Sequence, residues 1–155
     1  MPLELHPLPA EEFHSWMARS TAEYVSDLVA AGSSQHKAQE DADRAMTRAF
    51  PTGLPSCTNA VFTLEHGIFG DVGYVWIGHD TSGDPASWWV WYIVVDPGHR
   101  GKGFGRQAMN LAEEYARAHG ARTLGLNVFG FNQSARGLYE SLGYETTSIK
   151  MHKSL

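Results

Sequence analysis

The chain has 155 residues, enough for one domain with a substantial core, because 43% of them are hydrophobic and 12% are aromatic. Seventeen acidic and twelve basic residues give a net charge of −5, which argues against a general nucleic-acid-binding protein, since that affinity depends on cations laid along phosphates. Cys57 is the single cysteine, so there is no thiolate cluster for a metal. Because the sequence has neither a signal-peptide pattern nor a membrane-spanning run, we expect a cytoplasmic protein with no membrane partner.

The first third of the chain predicts a strand and two helices. Leucines alternate with polar residues from Leu3 to Leu8, which is typical of a short edge strand. From Ala10 to Gly32 apolar side chains recur at spacings of three and four, which predicts a long amphipathic helix. Ser33 or Ser34 can cap a second helix that runs to about Ala49.

Three strands are predicted next. The segments Asn59 to His66 and Gly70 to His79 form a hairpin, and a polar turn leads to a third strand, Trp88 to Val95. That third strand is an unbroken apolar and aromatic run, which favours burial on both faces. An antiparallel meander is the simplest arrangement of the three.

A glycine-rich loop follows the third strand. Gly101, Gly103 and Gly105 alternate with other residues, and the loop carries the cations Arg100, Lys102 and Arg106. A strand, a glycine loop and a helix N-terminus together suit a phosphate group, because bare N–H groups and the helix dipole point at one place.

Three phosphate-binding motifs compete for this loop. No Gly-Lys-Ser or Gly-Lys-Thr occurs, which excludes a Walker-type loop. The dinucleotide fingerprint fits poorly, because its glycine spacing differs and the next strand ends without a carboxylate. The pattern Arg/Gln-x-x-Gly-x-Gly/Ala is matched by Arg100, Gly103 and Gly105.

The last third of the chain predicts helix, strand, helix and strand. A helix ends at Gly120, and the strand Thr123 to Val128 returns parallel to the strand before the loop. A short helix spans Asn132 to Leu142, and Tyr144 to Lys153 reads as a final strand. The whole pattern predicts one α/β domain, residues 1–155, with a mixed sheet and helices on both faces.

Two motifs in the right order make the sequence similar to the GNAT superfamily of acyl-CoA-dependent N-acetyltransferases. They are Arg-Gly-Lys-Gly-Phe-Gly from Arg100 and LNVFGFNQSARGLYESLGY from Leu126 to Tyr144. The strings Asn-Val-Phe-Gly-x-Asn and Leu-Tyr-Glu-x-Leu-Gly resemble those of a branch of small bacterial enzymes. The resemblance implies a centrally splayed sheet of about six or seven strands, and transfer of acetyl from acetyl-CoA to a primary amine by direct attack, without a metal.

The resemblance also implies which residues bind the acetyl-CoA. Backbone groups of Ile93, Val94 and Val95 pair with the pantetheine amides. The pyrophosphate lies on the loop residues Arg100, Gly101, Lys102, Gly103, Phe104, Gly105 and Arg106. Asn132 lies on the cofactor side, although it could instead be only the N-cap of the last helix. Tyr139 corresponds to the tyrosine that protonates the CoA thiolate, although it could be only a core residue of that helix.

The proton acceptor for the amine is harder to assign. Many relatives carry a carboxylate on the strand before the loop, but the segment from Ala86 to Val95 has none. Glu65, with His66 and His79 as further candidates, could act through a water on the neighbouring hairpin, although each could equally be an ordinary surface residue.

Aromatic residues mark the predicted acceptor pocket. Trp76, Trp89, Trp91 and Phe129 would suit a small cationic or ring-bearing amine, although core packing explains aromatic residues equally well. Two alternatives remain open: an acyl-CoA-binding sensor without turnover, and an acetyltransferase of protein lysines or N-termini. The aromatic hairpin and the last strand could also support a homodimer.

Overall fold

The computed structural model, which describes residues 1–155, contains five strands in one sheet. The strands are β1 (Leu3–Pro7), β2 (Asn59–His66), β3 (Gly70–His79), β4 (Ser87–Val95) and β5 (Thr123–Leu126). The helices are α1 (Phe13–Ala30), α2 (Gln35–Ala49), α3 (Phe104–Ala118) and α4 (Gln133–Ser141), with 3-10 turns at Ala10–Glu12 and Pro97–His99. None of these helices combines the length and the apolar character needed to cross a membrane.

The strands lie side by side in chain order. Strands β1 to β4 are antiparallel neighbours, and β5 joins the sheet parallel to β4 after the chain has passed through α3. The predicted meander and the crossover into a mixed sheet are therefore confirmed.

Apolar side chains fill both faces of the sheet. On one face the inward residues of all five strands pack against α3, with Trp88, Phe104 and Met109 at the centre. On the other face Phe13 and Trp16 of α1 pack with Met46 of α2 and with the strands. The expectation of helices on both faces is confirmed. It follows from β4, whose even-numbered and odd-numbered residues are both apolar, so that both faces of the strand need to be covered.

Local signals fix where several helices begin. The Ser34 hydroxyl accepts a hydrogen bond from the Lys37 N–H at 3.2 Å, which caps α2. Asn132 caps α4 in the same way, with its side-chain oxygen 3.2 Å from the Ala135 nitrogen. The N-cap of α3 is Gly103, whose φ of +80° lies in the region that favours glycine.

The C-terminal end of the chain differs from the prediction. The strand expected from Tyr144 to Lys153 is not formed, and β5 ends at Leu126 rather than Val128, so the sheet has five strands instead of six or seven. Residues 145–155 are exposed and have no regular structure. The β-branched residues Thr146, Thr147 and Ile149 favour extended backbone, but a strand also needs a hydrogen-bonded neighbour, and this segment makes no backbone hydrogen bond beyond Tyr144.

Candidate active site

The sheet opens between β4 and β5. Their parallel pairing runs only from Ser87 opposite Thr123 to Val90 opposite Leu126. Strand β4 continues to Val95, whereas β5 stops at Leu126. Residues 92–95 therefore pair with β3 on one side, and residues 91–95 present a free edge on the other. An extended amide-bearing ligand could add along such an edge as a further strand.

A one-residue bulge lies where the opening begins. Tyr92 stands opposite Trp76 and Val90 stands opposite Ile77, which leaves Trp91 with no partner on β3. A bulge bends its strand and increases the local twist, which accounts for the divergence from β5. It also places Trp91 and Tyr92, two consecutive residues, on the face covered by α1 and α2.

The glycine-rich loop joins this free edge to α3. The backbone N–H groups of Gly101 to Arg106, six in a row, donate to no acceptor in the protein. Gly101 and Gly103 have φ values of +77° and +80°, and no atom lies within 4 Å of the point that a Cβ would occupy on either. The loop is thus an open concave row of donors at a helix N-terminus, which is the arrangement that binds phosphate oxygens.

The three loop cations have separate local partners. Arg100 donates through Nε to the Val95 carbonyl at 2.9 Å, which holds the loop against the end of β4. Lys102 Nζ lies 5.7 Å from the centre of the Phe69 ring, and Arg106 donates to the Ser141 hydroxyl at 2.7 Å. Phe104 is buried at the start of α3 and anchors the loop in the core.

Tyr139 lies on α4 at the edge of a cavity of about 600 Å³ beside β5. Burial raises the pKa of its phenol above the ordinary value, so the group stays protonated in neutral solution. Trp89 lines the same cavity and packs over Gly125, where a Cβ would come within 2.3 Å of the ring. A neutral phenol in this position can donate a proton.

Asn132 is engaged in helix capping. Its side-chain oxygen accepts the Ala135 N–H, and its backbone N–H donates to the Phe129 carbonyl at 2.9 Å. Its side-chain amide N–H groups make no hydrogen bond to the protein.

The predicted acceptor residues divide into two groups. Trp76, Trp91 and Trp89 form a row, with ring centres 5.8 Å apart between Trp76 and Trp91 and 6.2 Å apart between Trp91 and Trp89. Phe129 does not join this row and stacks on Phe131 instead, at 5.6 Å. Trp76 is buried against Trp16 and Phe50, so within the row only Trp89 and Trp91 are partly accessible.

Two carboxylates of α1 meet two tyrosines of the sheet on the same face. The Tyr92 hydroxyl donates to Asp27, and the Tyr74 hydroxyl donates to Glu23 at 2.7 Å. Burial, reinforced by the accepting carboxylate, raises the pKa of both phenols. Arg19 pairs with the other Glu23 oxygen at 3.0 Å and also with Asp96. Sequence reasoning missed these carboxylates because they resembled the polar face of an amphipathic helix, although the i, i+4 spacing of Glu23 and Asp27 was a usable signal.

The predicted hairpin acids and bases lie elsewhere. Glu65 lies opposite Glu4 of β1 and Asp71 of β3, so it is two strands away from β4. Along β2 it is four residues from Val61, which is level with the bulge, and four residues of a strand span about 13 Å. His66 is buried and holds the turn after β2 through the Ile68 N–H, whereas His79 packs on Trp88. Glu65 is thus remote from the opening, whereas the His79 carbonyl accepts the Trp91 indole N–H at 3.2 Å and the His66 ring centre lies 5.0 Å from that of Phe104 in the glycine-rich loop.

Comparisons with known proteins agree on one family. The model described as the acetyltransferase (GNAT) family matches residues 33–144. The uncharacterised N-acetyltransferase YycN of Bacillus subtilis is 31% identical over 156 residues, covering 100% of each chain, and YdgE of the same organism is 26% identical over 100% of this chain and 99% of its own. The crystal structure of YycN superposes with a TM-score of 0.88, covering 99% of this chain and 98% of that one.

Proposed function

The chain belongs to the acetyltransferase (GNAT) family, and we propose that it transfers the acetyl group of acetyl-CoA to the primary amine of a small, cationic acceptor in the cytoplasm. The observation that carries the proposal is the free β4 edge leading directly into six unpaired backbone N–H groups. A strand edge suits the amides of pantetheine, and the row of donors suits a pyrophosphate. The pantetheine and the pyrophosphate of CoA thus have binding surfaces that adjoin each other on the protein.

Each part of the opening has a role in the proposal. Ile93, Val94 and Val95 bind the pantetheine through their backbone, and the loop from Arg100 to Arg106 binds the pyrophosphate. The free side-chain amide of Asn132 lies on the CoA side. Because these contacts come mostly from the backbone, they depend on φ values that glycine tolerates at positions 101 and 103.

The reaction needs two proton movements. The neutral amine forms a bond from nitrogen to the thioester carbonyl carbon, the carbon–sulfur bond breaks, and the thiolate leaves. The Tyr139 phenol donates its proton to that thiolate, and the proton lost by the acylated nitrogen passes through solvent and restores the phenol. Free backbone N–H groups at the start of the β4 edge polarise the carbonyl.

The direct test is turnover with a panel of acceptors. The protein is incubated with acetyl-CoA and a thiol reagent in the presence of polyamines, aminoglycosides, amino acids or lysine peptides, and CoA release is followed. We expect release with at least one small cationic amine. Release with peptides alone would instead indicate a protein acetyltransferase, and acetyl-CoA binding by calorimetry with no release from any acceptor would indicate a sensor.

A further inference from the structure

We propose that Asp27, held by the hydroxyl of Tyr92, takes the proton from the acceptor amine and so replaces the carboxylate that β4 lacks. The inference rests on the proposed function and assigns its missing base. It also specifies the acceptor as an amine that binds in its ammonium form, against the carboxylate, before it reacts.

The position of Tyr92 supports this role. The β4–β5 pairing ends at Val90, Trp91 forms the bulge, and Tyr92 is the next residue. Its side chain projects to the α1 face at the mouth of the opening and donates to Asp27 from there. A helix side chain is thereby brought to the place on the strand where a base is needed.

The charge environment separates Asp27 from its neighbour Glu23. Glu23 is neutralised by Arg19, which bridges it to Asp96. Asp27 takes part in none of the ion pairs of the molecule, and its only side-chain partner is the neutral phenol of Tyr92. A half-buried carboxylate without a cation is the stronger binding position for an incoming ammonium group.

Aromatic rings complete the surroundings of this carboxylate. Tyr24 of α1 packs edge-on to Tyr92 with ring centres 6.2 Å apart, and Trp91 lies beside it on the same face. Ring faces attract cations and repel anions, so the rings around Asp27 favour the binding of an ammonium group.

The proton balance is simple. An alkylammonium group gives one proton to the Asp27 carboxylate, directly or through Tyr92, whose hydroxyl passes its own proton to Asp27 as it takes the new one. The neutral nitrogen then attacks the thioester. Asp27 returns its proton to water, so acetylation of one ammonium group releases one proton overall.

The test compares Asp27→Asn with Glu23→Gln. Asparagine still accepts the Tyr92 hydroxyl but carries no charge, and we expect kcat/KM for an alkylamine found in the panel to fall by about 100-fold or more. Glu23→Gln lies one turn away on the same face and leaves Asp27 intact, and we expect a change of about twofold, the scale of a substitution without a special role. Acetyl-CoA affinity should be the same in both variants and in the wild type.

A second acceptor makes the result specific. Hydroxylamine is already largely neutral at mildly alkaline pH and needs no base, so its acetylation should change by about twofold or less in Asp27→Asn. A merely structural role for Asp27 would slow both nucleophiles equally. Wild-type turnover with equal rates in Asp27→Asn would overturn the inference alone, whereas a wild type with no turnover would overturn the proposed function.

Discussion

The two sides of the sheet opening are built by different means. The proposed acetyl-CoA side is a continuous piece of chain, the end of β4 and the loop after it, and it acts through backbone groups. The proposed acceptor side is assembled from side chains of distant segments, with Asp27 of α1 meeting Tyr92 of β4. A contiguous backbone site tolerates changes of side chain and fails when its conformation changes. A composite side-chain site behaves in the opposite way.

The largest effect should come from the proton donor between the two sides. Tyr139→Phe keeps the ring and removes the hydroxyl, and we expect kcat to fall by about 100-fold or more, because general acid catalysis contributes on that scale. Acetyl-CoA affinity should not change. The matched control is Tyr144→Phe, whose ring lies 6.1 Å away and whose hydroxyl has no partner. Equal losses in the two variants would show that Tyr139 acts only through packing.

Smaller effects, on acetyl-CoA affinity, should distinguish the contribution of the loop backbone from that of the loop cations on the acetyl-CoA side. Gly103→Val forces a branched residue to a φ of +80°, and we expect acetyl-CoA to bind about 10-fold more weakly, since that conformation costs an ordinary residue 1–2 kcal/mol. Lys102→Gln removes one exposed cation, and we expect a loss of about threefold, the scale of an exposed charge pair. Calorimetric titration measures both. A greater loss for Lys102→Gln would mean that side chains dominate this side as well.

On the acceptor side, Trp91→Leu tests the aromatic rings around Asp27. We expect the KM of a cationic amine to rise about fivefold, the scale of one partly exposed cation–π contact, while acetyl-CoA affinity stays constant. Steady-state kinetics at saturating acetyl-CoA provide the measurement. If a neutral nucleophile such as hydroxylamine lost affinity by the same factor, the ring would act through shape rather than through charge.

The smallest predicted effect is an absence of pH dependence. Only the protonated Tyr139 can donate, and burial raises its pKa above the ordinary 10.0. Ionisation of Tyr139 therefore removes activity only above pH 10, and kcat should show no alkaline decline from this group below that value. A decline of kcat with a midpoint below pH 10 that disappears in Tyr139→Phe would contradict the raised pKa of the buried Tyr139 phenol.

The difference between the two sides also explains what the sequence could predict. The hairpin, the β4 run and the glycine loop are local patterns, and each lies where expected. The bulge at Trp91 was hidden, because apolar residues occupy every position from Trp88 to Val95 and no alternation exists to be interrupted. Glu65 was chosen for being on the neighbouring hairpin, whereas register decides how far along the strand it lies.

The predicted C-terminal strand was wrong, and the carboxylates of the correctly predicted α1 were missed, for related reasons. The β-branched residues after Tyr144 favour extended backbone, but pairing depends on an edge that only the three-dimensional arrangement defines. Asp27 and Glu23 occupy positions that read as solvent-facing on a helix, and only the hydroxyls of Tyr92 and Tyr74 reveal that this face is turned to the sheet. Long-range partners leave little trace in a single sequence.

Because Trp91 has no partner on β3, the alternation of side chains between the two faces of β4 shifts by one residue at this point. Before it, the even-numbered Trp88 and Val90 face α3. Trp91 and the even-numbered Tyr92 and Val94 face α1 and α2, while Ile93 and Val95 face α3. A regular strand can offer only every second residue to a ligand. Here two adjacent codons can vary together to alter acceptor choice while the α3 face keeps its packing. Deletion of either codon would remove the bulge and restore regular side-chain alternation along the whole of β4.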